Sequence, residues 1–326
     1  MKIIGIGNAL LDVLIRLEND DMLRELGLKK GAMDLIDESK MKEIQGLDSR
    51  LPRSEAPGGS VSNTMRSLAR LGATVGYIGK IGNDKNGALY ENETAKAGVQ
   101  THFIKNEGAS GCSTVLVSPD GERTMATYLG LAATLNNAEI PDNMLNNYDC
   151  IYVEGYLISN DQLFLPMLRR AKKAGLKIAL DLANFNIVNG FKDLLKEVIP
   201  EYVDILFSNE SEAEAFTGLP AREAIREILK MVDISVITLG KDGALAGRGE
   251  HIIKVDSHKV NVLDTTGAGD NFAAGFLYGY SQGASIAQSV QIGTLLAGNA
   301  VETVGAQIGE DRWEKINLKV CEILRK

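Results

Sequence analysis

An α/β fold is predicted here, with a mostly parallel central sheet flanked by helices and a small β-lid. Three observations lead to it. From Asp149 to Gly240 apolar strand-like runs alternate regularly with amphipathic helical stretches, the pattern of parallel strands covered on both faces by crossover helices. The same alternation starts at the N-terminus and is then interrupted by residues 14–46, a mixed stretch that reads as an insertion above the sheet. Finally, residues from about 99 to 131 show no helical pattern and contain CSTVLVSPDGERTMATYLG, two β-rich runs joined by Pro119-Asp120-Gly121, a strong turn signal. The expected division is therefore a large domain from residues 1–12, 47–98 and 132–326, and a discontinuous lid from residues 13–46 and 99–131.

Composition narrows the class of function. With 326 residues the chain is long enough for one large α/β domain or two ordinary ones. Its 43 acidic against 35 basic residues give a formal charge of −8, which argues against nucleic acid as a partner. Cys112, Cys150 and Cys321 are far apart and form no CxxC pair, and three histidines are too few for a histidine-based metal cluster. The N-terminal MKIIGIGNALLD has no long apolar stretch with a cleavage site, and no run approaches the roughly 18 apolar residues of a membrane span. A cytoplasmic protein with small-molecule partners is expected.

In chain order, residues 2–7 form an apolar run ending in glycine, a first buried strand. GIGNAL lacks the third glycine and the following helix of a dinucleotide fingerprint. Asn8 and Asp12 sit just past the strand end, where open α/β sheets bind ligands. An ionised Asp12 would accept hydrogen bonds from hydroxyls; a turn asparagine and a solvated aspartate are the alternative. DMLRELGL reads as a short amphipathic helix and GAMDLID as a short strand. Pro57-Gly58-Gly59-Ser60 precedes the helical run TMRSLARLG, so bare backbone can approach a ligand there, or the serines simply cap the helix. Strand TVGYIGKIG leads into the turn chemistry of residues 79–87 and a helix through Lys96. Arg123, just after the lid turn, could reach a substrate or be a solvated hairpin charge.

Beyond Asp149 the strands are CIYVEGYLI, KIALDLA, DILFSNE and ISVITLG, with helices DQLFLPMLRRAKKAG, GFKDLLKEVIP, SEAEAFTG and REAIREILKMV between them. Asn209 and Glu212 carry the spacing of a capping box. Thr238 to Gly243 is a glycine-rich turn with strands on both sides. SIAQSVQIGTLLAGNAVETVGA is a small-residue helix ending near Gly305, suited to close packing on the helix before it.

That preceding helix carries the stretch around which the chain is organised, Asp264-Thr265-Thr266-Gly267-Ala268-Gly269-Asp270-Asn271-Phe272. It places small residues and unpaired amides at a helix N-terminus, a ready anion site. A carboxylate in the same turn repels a phosphate unless it has chemistry to perform, such as taking a proton from an attacking hydroxyl. The competing reading, in which Asp270 merely complements the helix dipole, is weakened by the acids and hydroxyls around it.

DTTGAGDNFAAGF resembles the C-terminal signature of the ribokinase-like (PfkB) family of sugar and nucleoside kinases, and the likeness extends over nearly the whole chain. The resemblance implies a ribokinase-like, Rossmann-like sheet. It implies Gly267, Ala268 and Gly269 as an anion hole for the transferring phosphoryl group and Asp270 as general base. Asn8 and Asp12 would bind substrate hydroxyls, with Gly58, Gly59 and Asn63 beside the substrate. Gly79, Gly82, Asp84 and Gly87 match the family's GxxGxDxxG pattern. Asn209 and Glu212 would act on phosphate and Mg²⁺ through water, Thr238, Gly240 and Gly243 would lie beside the nucleotide, and Asn299 would line the adenine pocket. Asp264 and Thr266 match positions that hold K⁺ in some relatives.

ATP and Mg²⁺ are thus the implied cofactors. No GxxxxGK[ST] and no HRD or DFG set is present, so neither a P-loop enzyme nor a protein kinase is expected. GNALLD, GERTMATYLG, VEGYLI and FLYGY look most like adenosine-kinase-type members. A sugar acceptor on the same scaffold, or a non-catalytic nucleotide-binding regulator, are the alternatives. Either a monomer or a homodimer is compatible with the family.

Overall fold

The structure, a computed structural model, describes residues 1–46 and 51–325. Residues 47–50, where the expected large-domain stretch 47–98 begins, and Lys326 lie outside the described residues. In chain order the strands are β1 (Ile3–Ile6), β2 (Leu10–Arg16), β3 (Met33–Leu35), β4 (Arg53–Pro57), β5 (Val75–Gly82), β6 (Gln100–Asn106), β7 (Gly111–Val117) and β8 (Arg123–Tyr128). They continue as β9 (Cys150–Glu154), β10 (Lys177–Asp181), β11 (Ile205–Asn209), β12 (Ile234–Thr238), β13 (Ala244–Arg248) and β14 (His251–Val255). The helices are α1 (Asp21–Glu25), α2 (Glu38–Gln45), α3 (Ser60–Arg70), α4 (Lys85–Lys96), α5 (Phe164–Lys173), α6 (Phe185–Gly190), α7 (Lys192–Tyr202), α8 (Glu210–Thr217), α9 (Ala221–Ile228), α10 (Ala268–Ser281), α11 (Ile286–Ala300) and α12 (Trp313–Leu324).

Among the described residues the strands form two sheets. The larger runs β14-β13-β12-β11-β10-β9-β1-β5-β6, parallel from β12 to β6 and antiparallel at β13 and β14. Alternate residues of its strands enter cores on opposite faces. Ile3, Tyr77, Tyr152 and Phe207 pack with Phe276 and Leu296 of α10 and α11, whereas Ile4, Ile6, Ile151 and Leu206 pack with Phe164 and Leu168 of α5. This two-sided burial explains the apolar strand runs. From β1 the chain goes to β5 on one side, while β9 lies on the other. That reversal opens a crevice beyond the carboxyl ends of β1 and β9, where ligands bind in such folds.

The second sheet runs β3-β8-β7-β2-β4. Its membership departs from the expected segments in three ways. Strand β2 begins at Leu10, so Asp12 belongs to the small sheet and not to the end of the large one. Strand β4, expected in the large domain, pairs with β2. Strand β6, expected in the lid, pairs in parallel with β5 at the edge of the large sheet. The β7–β8 hairpin forms as read, with Val117 opposite Arg123.

Helices α10 and α11 meet backbone to backbone. A Cβ at Gly275 would lie 2.6 Å from the Ile292 carbonyl oxygen, and one at Gly293 would lie 2.9 Å from that of Phe272. Helix α11 stops at Ala300, short of the expected Gly305. The Val301 carbonyl there accepts from the Leu263 and Asp264 amides, so residues 301–307 turn back towards the N-terminus of α10. Gly275→Val drives a side chain into the Ile292 backbone and should cost about 3 kcal/mol, since overpacking against backbone is relieved only by moving a helix. Urea denaturation monitored by far-UV circular dichroism measures it.

Candidate active site

The site starts at the N-terminus of α10. Gly267 precedes the helix with φ 73°, and a Cβ there would lie 2.7 Å from that of Ala306, so both conformation and space require glycine. The Ala268 amide donates to the Thr265 carbonyl. The amides of Gly267, Gly269 and Asp270 have no partner among the described residues. The unpaired donors therefore include Gly267 and Gly269 of the expected Gly267-Ala268-Gly269 triplet, with the Asp270 amide in place of that of Ala268. A Cβ at Gly269 would meet nothing within 4 Å, so this end of the helix opens onto the crevice. Bare amides, a helix dipole and open space form an anion site.

Asp270 stands at the same end, held by α3. Its Oδ1 accepts from Ser60 Oγ at 2.7 Å and its Oδ2 from Asn63 Nδ2 at 2.9 Å. Asn63 Oδ1 in turn accepts from Gln307 Nε2 at 2.6 Å, so both ends of its amide serve the protein and orient Asp270. Burial raises the Asp270 carboxyl above its usual range, against the two donated hydrogen bonds. The neighbouring Asn271 is fully buried. It donates to the carbonyls of Gly267 and Ala306 and accepts from Ser67 Oγ, pinning the glycine turn to α3 and to the 301–307 loop.

Across the crevice lie the expected acceptor residues. A Cβ on Gly58 would fall 2.1 Å from the Asp12 carboxylate, and one on Gly59, where φ is 84°, would fall 2.5 Å from the Asn8 carbonyl. The paired glycines thus make room for Asp12 and Asn8. The Asp12 carboxylate takes no hydrogen bond from the described residues, and its pKa is pushed up to about 7 by burial and then by Asp270. Asn8 is buried and donates through N and Nδ2 to Glu154 Oε1, at 2.8 and 2.6 Å. Glu154 Oε2 faces the Val61 amide at the start of α3. Glu154 therefore ties β1, β9 and α3 together, and burial pushes its pKa up to about 7.

The third side is formed by the ends of β10, β11 and β12. Asn209 and Glu212 make the capping box: Glu212 N donates to Asn209 Oδ1, and Asn209 N and Nδ2 donate to the two Glu212 oxygens. Asp181, at the end of β10, accepts from Tyr152 Oη and from the Ala183 amide. Ala183 has φ 64°, a strained value for alanine. Burial first, and then the Glu212 charge, push the Asp181 pKa up to about 8. Thr238 pairs with Asn209 across β11 and β12, and Gly240 and Gly243 shape the following turn. On α11, Asn299 Nδ2 donates to the Leu295 carbonyl of its own helix, and its Oδ1 accepts from Arg312.

Asp181 and Glu212 are crowded carboxylates whose charges oppose each other, a donor set that suits a hard divalent cation shared with phosphate oxygens. Mg²⁺ fits here. The K⁺ expectation at Asp264 and Thr266 does not. Asp264 Oδ1 accepts from Thr266 N and Oγ1, and Oδ2 accepts from Gly305 N and from the Arg123 guanidinium at 2.6 Å. Four donors fill the four lone-pair positions of the carboxylate. Burial works against its charge, yet these partners hold the Asp264 carboxyl below its usual range. Arg123 also donates to Thr266 Oγ1, so it is neither solvated nor free to wander: it carries the small sheet onto the glycine turn.

Several contributors escaped the sequence reading. Ser60 looked like a cap, Gln307 lay beyond the expected helix, and Asn271 looked like an ordinary helical residue. The one available signal for Glu154 and Asp181 was their position at strand ends.

The pfkB family carbohydrate kinase pattern matches residues 34–313. The chain belongs to the PfkB family of carbohydrate kinases. An archaeal relative, named an uncharacterized sugar kinase in Archaeoglobus fulgidus, is 31% identical over 247 residues, covering 75% of this chain and 98% of its own. A solved structure from Rhizobium etli CFN 42, described as a probable sugar kinase, superposes with a TM-score of 0.87 at 30% identity over 99% of this chain and 98% of that one. The adenosine kinase of Sinorhizobium meliloti superposes with a TM-score of 0.82 at 31% identity over 94% of this chain and 95% of that one. The fold is ribokinase-like, and the activity is that of a phosphotransferase acting on an alcohol group, with ATP as the phosphoryl substrate. Among the described residues no helix is long and apolar enough to cross a membrane.

Two outcomes follow from these charges. Because folding raises the Asp12 pKa from 3.8 to about 7, unfolding releases its proton and stability falls as pH rises through that window. Asp12→Asn should therefore be more stable than wild type at pH 8 by about 2 kcal/mol or more, each pKa unit being worth about 1.4 kcal/mol, and the gap should close by pH 4 in urea titrations. Replacing K⁺ by Na⁺ at constant ionic strength should leave kcat within about twofold, since the guanidinium already supplies the positive charge at Asp264.

Proposed function

We propose that the protein transfers the γ-phosphoryl group of ATP to the hydroxymethyl group of a nucleoside, with the adenosine 5′-hydroxyl as acceptor. The observation that carries this reading is the meeting of Asp270 with the bare amides of α10 opposite the unpartnered Asp12 carboxylate. Asp12 takes the ring hydroxyls of the acceptor and fixes its hydroxymethyl group near Asp270. Asp270, oriented by Ser60 and Asn63, takes the proton of that hydroxyl as it attacks. The amides of Gly267, Gly269 and Asp270 stabilise charge on the transferring group, so catalysis is positioning plus electrostatics. Glu212, through water and with Asp181 beside it, would hold Mg²⁺, which when bound neutralises charge between the phosphates. The ends of β11 and β12 at Asn209 and Thr238, with the turn at Gly240 and Gly243, offer the nucleotide side.

A nucleoside is favoured over a bare sugar by what lies next to Asn8. A cavity of about 390 Å³ opens there, bordered by Leu129, Leu135, Tyr156 and Leu157. Its size is in the range of pockets that hold whole small ligands. Tyr156 remains 37% exposed, an aromatic face free to meet a planar group. The relative from Sinorhizobium meliloti named adenosine kinase points the same way. Ser159, Asn160, Asp161 and Gln162, on the polar side of the cavity, favour the second reading, a free sugar acceptor.

The decisive experiment is ADP release from Mg-ATP with adenosine, inosine, ribose, fructose and fructose 6-phosphate in turn. Turnover with adenosine is expected, and Asp270→Ala should lower kcat by roughly 10²–10⁴-fold, the contribution of a positioned base. Normal kcat in that variant would sink the mechanism; turnover with a free sugar alone would replace the acceptor and keep the mechanism.

A further inference from the structure

Beside Asp12 the small sheet carries two polar side chains that no step above uses, Ser113 and Thr127. Asp12, Ser113 and Thr127 are paired across β2, β7 and β8, and paired positions project to the same face of a sheet. That face looks into the crevice. Asp12 lies against Gly58 at one point of it, and Arg123, on the same face further along, reaches Asp264 and Thr266 at the other. Neighbouring strands are about 4.8 Å apart, so the row spans roughly 10 Å above the acceptor side.

Ser113 and Thr127 are 3% and 8% exposed, and their hydroxyls lie 3.0 Å apart. Each hydroxyl has one proton to give. Their mutual bond uses one, and the second has no acceptor among the described residues. A buried donor left without a partner is costly, which makes its retention beside an equally unpartnered carboxylate informative. Asp12 can only accept while ionised, and the Ser113–Thr127 pair has one proton to donate. Together they complement a group that both donates and accepts: a ring hydroxyl next to another hydroxyl.

We propose that Ser113 and Thr127 are specificity-determining residues that read one secondary hydroxyl of the acceptor's vicinal diol, donating to its oxygen while Asp12 accepts from the diol. The inference rests on the kinase reading given above and deepens it: the acceptor class is one that keeps both ring hydroxyls. A deoxy acceptor leaves the spare proton unpaired and binds more weakly. The distal part of the acceptor, whether base or nothing, does not enter this contact.

Ser113→Ala and Thr127→Val remove the hydroxyls with little change of shape. With adenosine, each variant should raise the acceptor KM about five- to tenfold, the worth of one neutral hydrogen bond, with kcat and the KM for ATP near wild type. With either 2′-deoxyadenosine or 3′-deoxyadenosine, whichever lacks the oxygen that is read, the wild type should already show the raised KM and the variants should add nothing. An adenosine KM unchanged in both variants overturns the proposal. So does an equal loss on adenosine and on both deoxy acceptors, which would mark a structural role. If wild type turns over ribose but not adenosine, the same comparison is made with ribose and 2-deoxyribose, and the nucleoside reading fails alone. Wild-type silence with every acceptor defeats both the nucleoside and the free-sugar readings of the acceptor, and this proposal with them. A KM for ATP that rises in step with that for the acceptor also overturns the proposal, because the contact would then not be confined to the acceptor.

Discussion

A single buried carboxylate, Asp270, sets the terms for the rest of the site. Negative charge at the mouth of an anion hole is unfavourable unless it is desolvated, oriented and useful. Helix α3 meets all three demands. Its first turn supplies Ser60 and Asn63 to the two carboxylate oxygens, and Ser67 on the next turns engages Asn271. Asn271 fixes the carbonyl of Gly267, so the same contact that orients the base also shapes the turn that bares the amides. Base and anion hole are thus one rigid unit built on two packed helices, the arrangement that precise positioning requires.

Around that unit the protein accumulates acid. Asp12, Glu154, Asp181, Glu212 and Asp270 all have carboxyls raised above their usual range, with burial the leading cause in each. Such crowding lowers stability near neutral pH and is retained where function needs it. Their surroundings divide the labour. Glu154 is satisfied by Asn8 and braces β1 against α3, whereas Asp12 accepts no hydrogen bond from the described residues. Glu212 closes its own capping box, yet shares a field with Asp181 that a cation bound with phosphates would relieve. The positive charge on the other flank is the protein's own: Arg123 pairs with Asp264 and joins the small sheet to the glycine turn.

The small sheet therefore does more than shield the crevice from water. It contributes Asp12, the Ser113–Thr127 pair and Arg123 from one face, while its opposite face buries Leu11, Ile15, Cys112 and Leu116 in the core. Strand alternation makes this possible: Asp12, Ser113, Thr127 and Arg123 fall at positions of one parity and share a face, while the apolar set falls at the other.

Much of this was legible in the sequence by itself. The alternation beyond Asp149, the Pro-Asp-Gly hairpin, the capping spacing of Asn209 and Glu212, and the glycine-rich turn before Asp270 are local signals, fixed by periodicity and turn chemistry within a few residues. Helix α12 was equally available, with Trp313, Ile316 and Val320 at helical spacing, but lay past the last motif read. What the tertiary structure alone decided was pairing between distant segments. No local rule places β6 in the large sheet, and none makes a strand of β4, whose sequence RSEAP has little β-propensity and which forms only by pairing with β2. No local rule brings Ser60 to Asp270, 210 residues away, or Arg123 to Asp264. An isolated aspartate or arginine reads the same whether it meets water, an ion or a partner; only packing determines which, because the energies of burial and pairing belong to the contact and not to the residue.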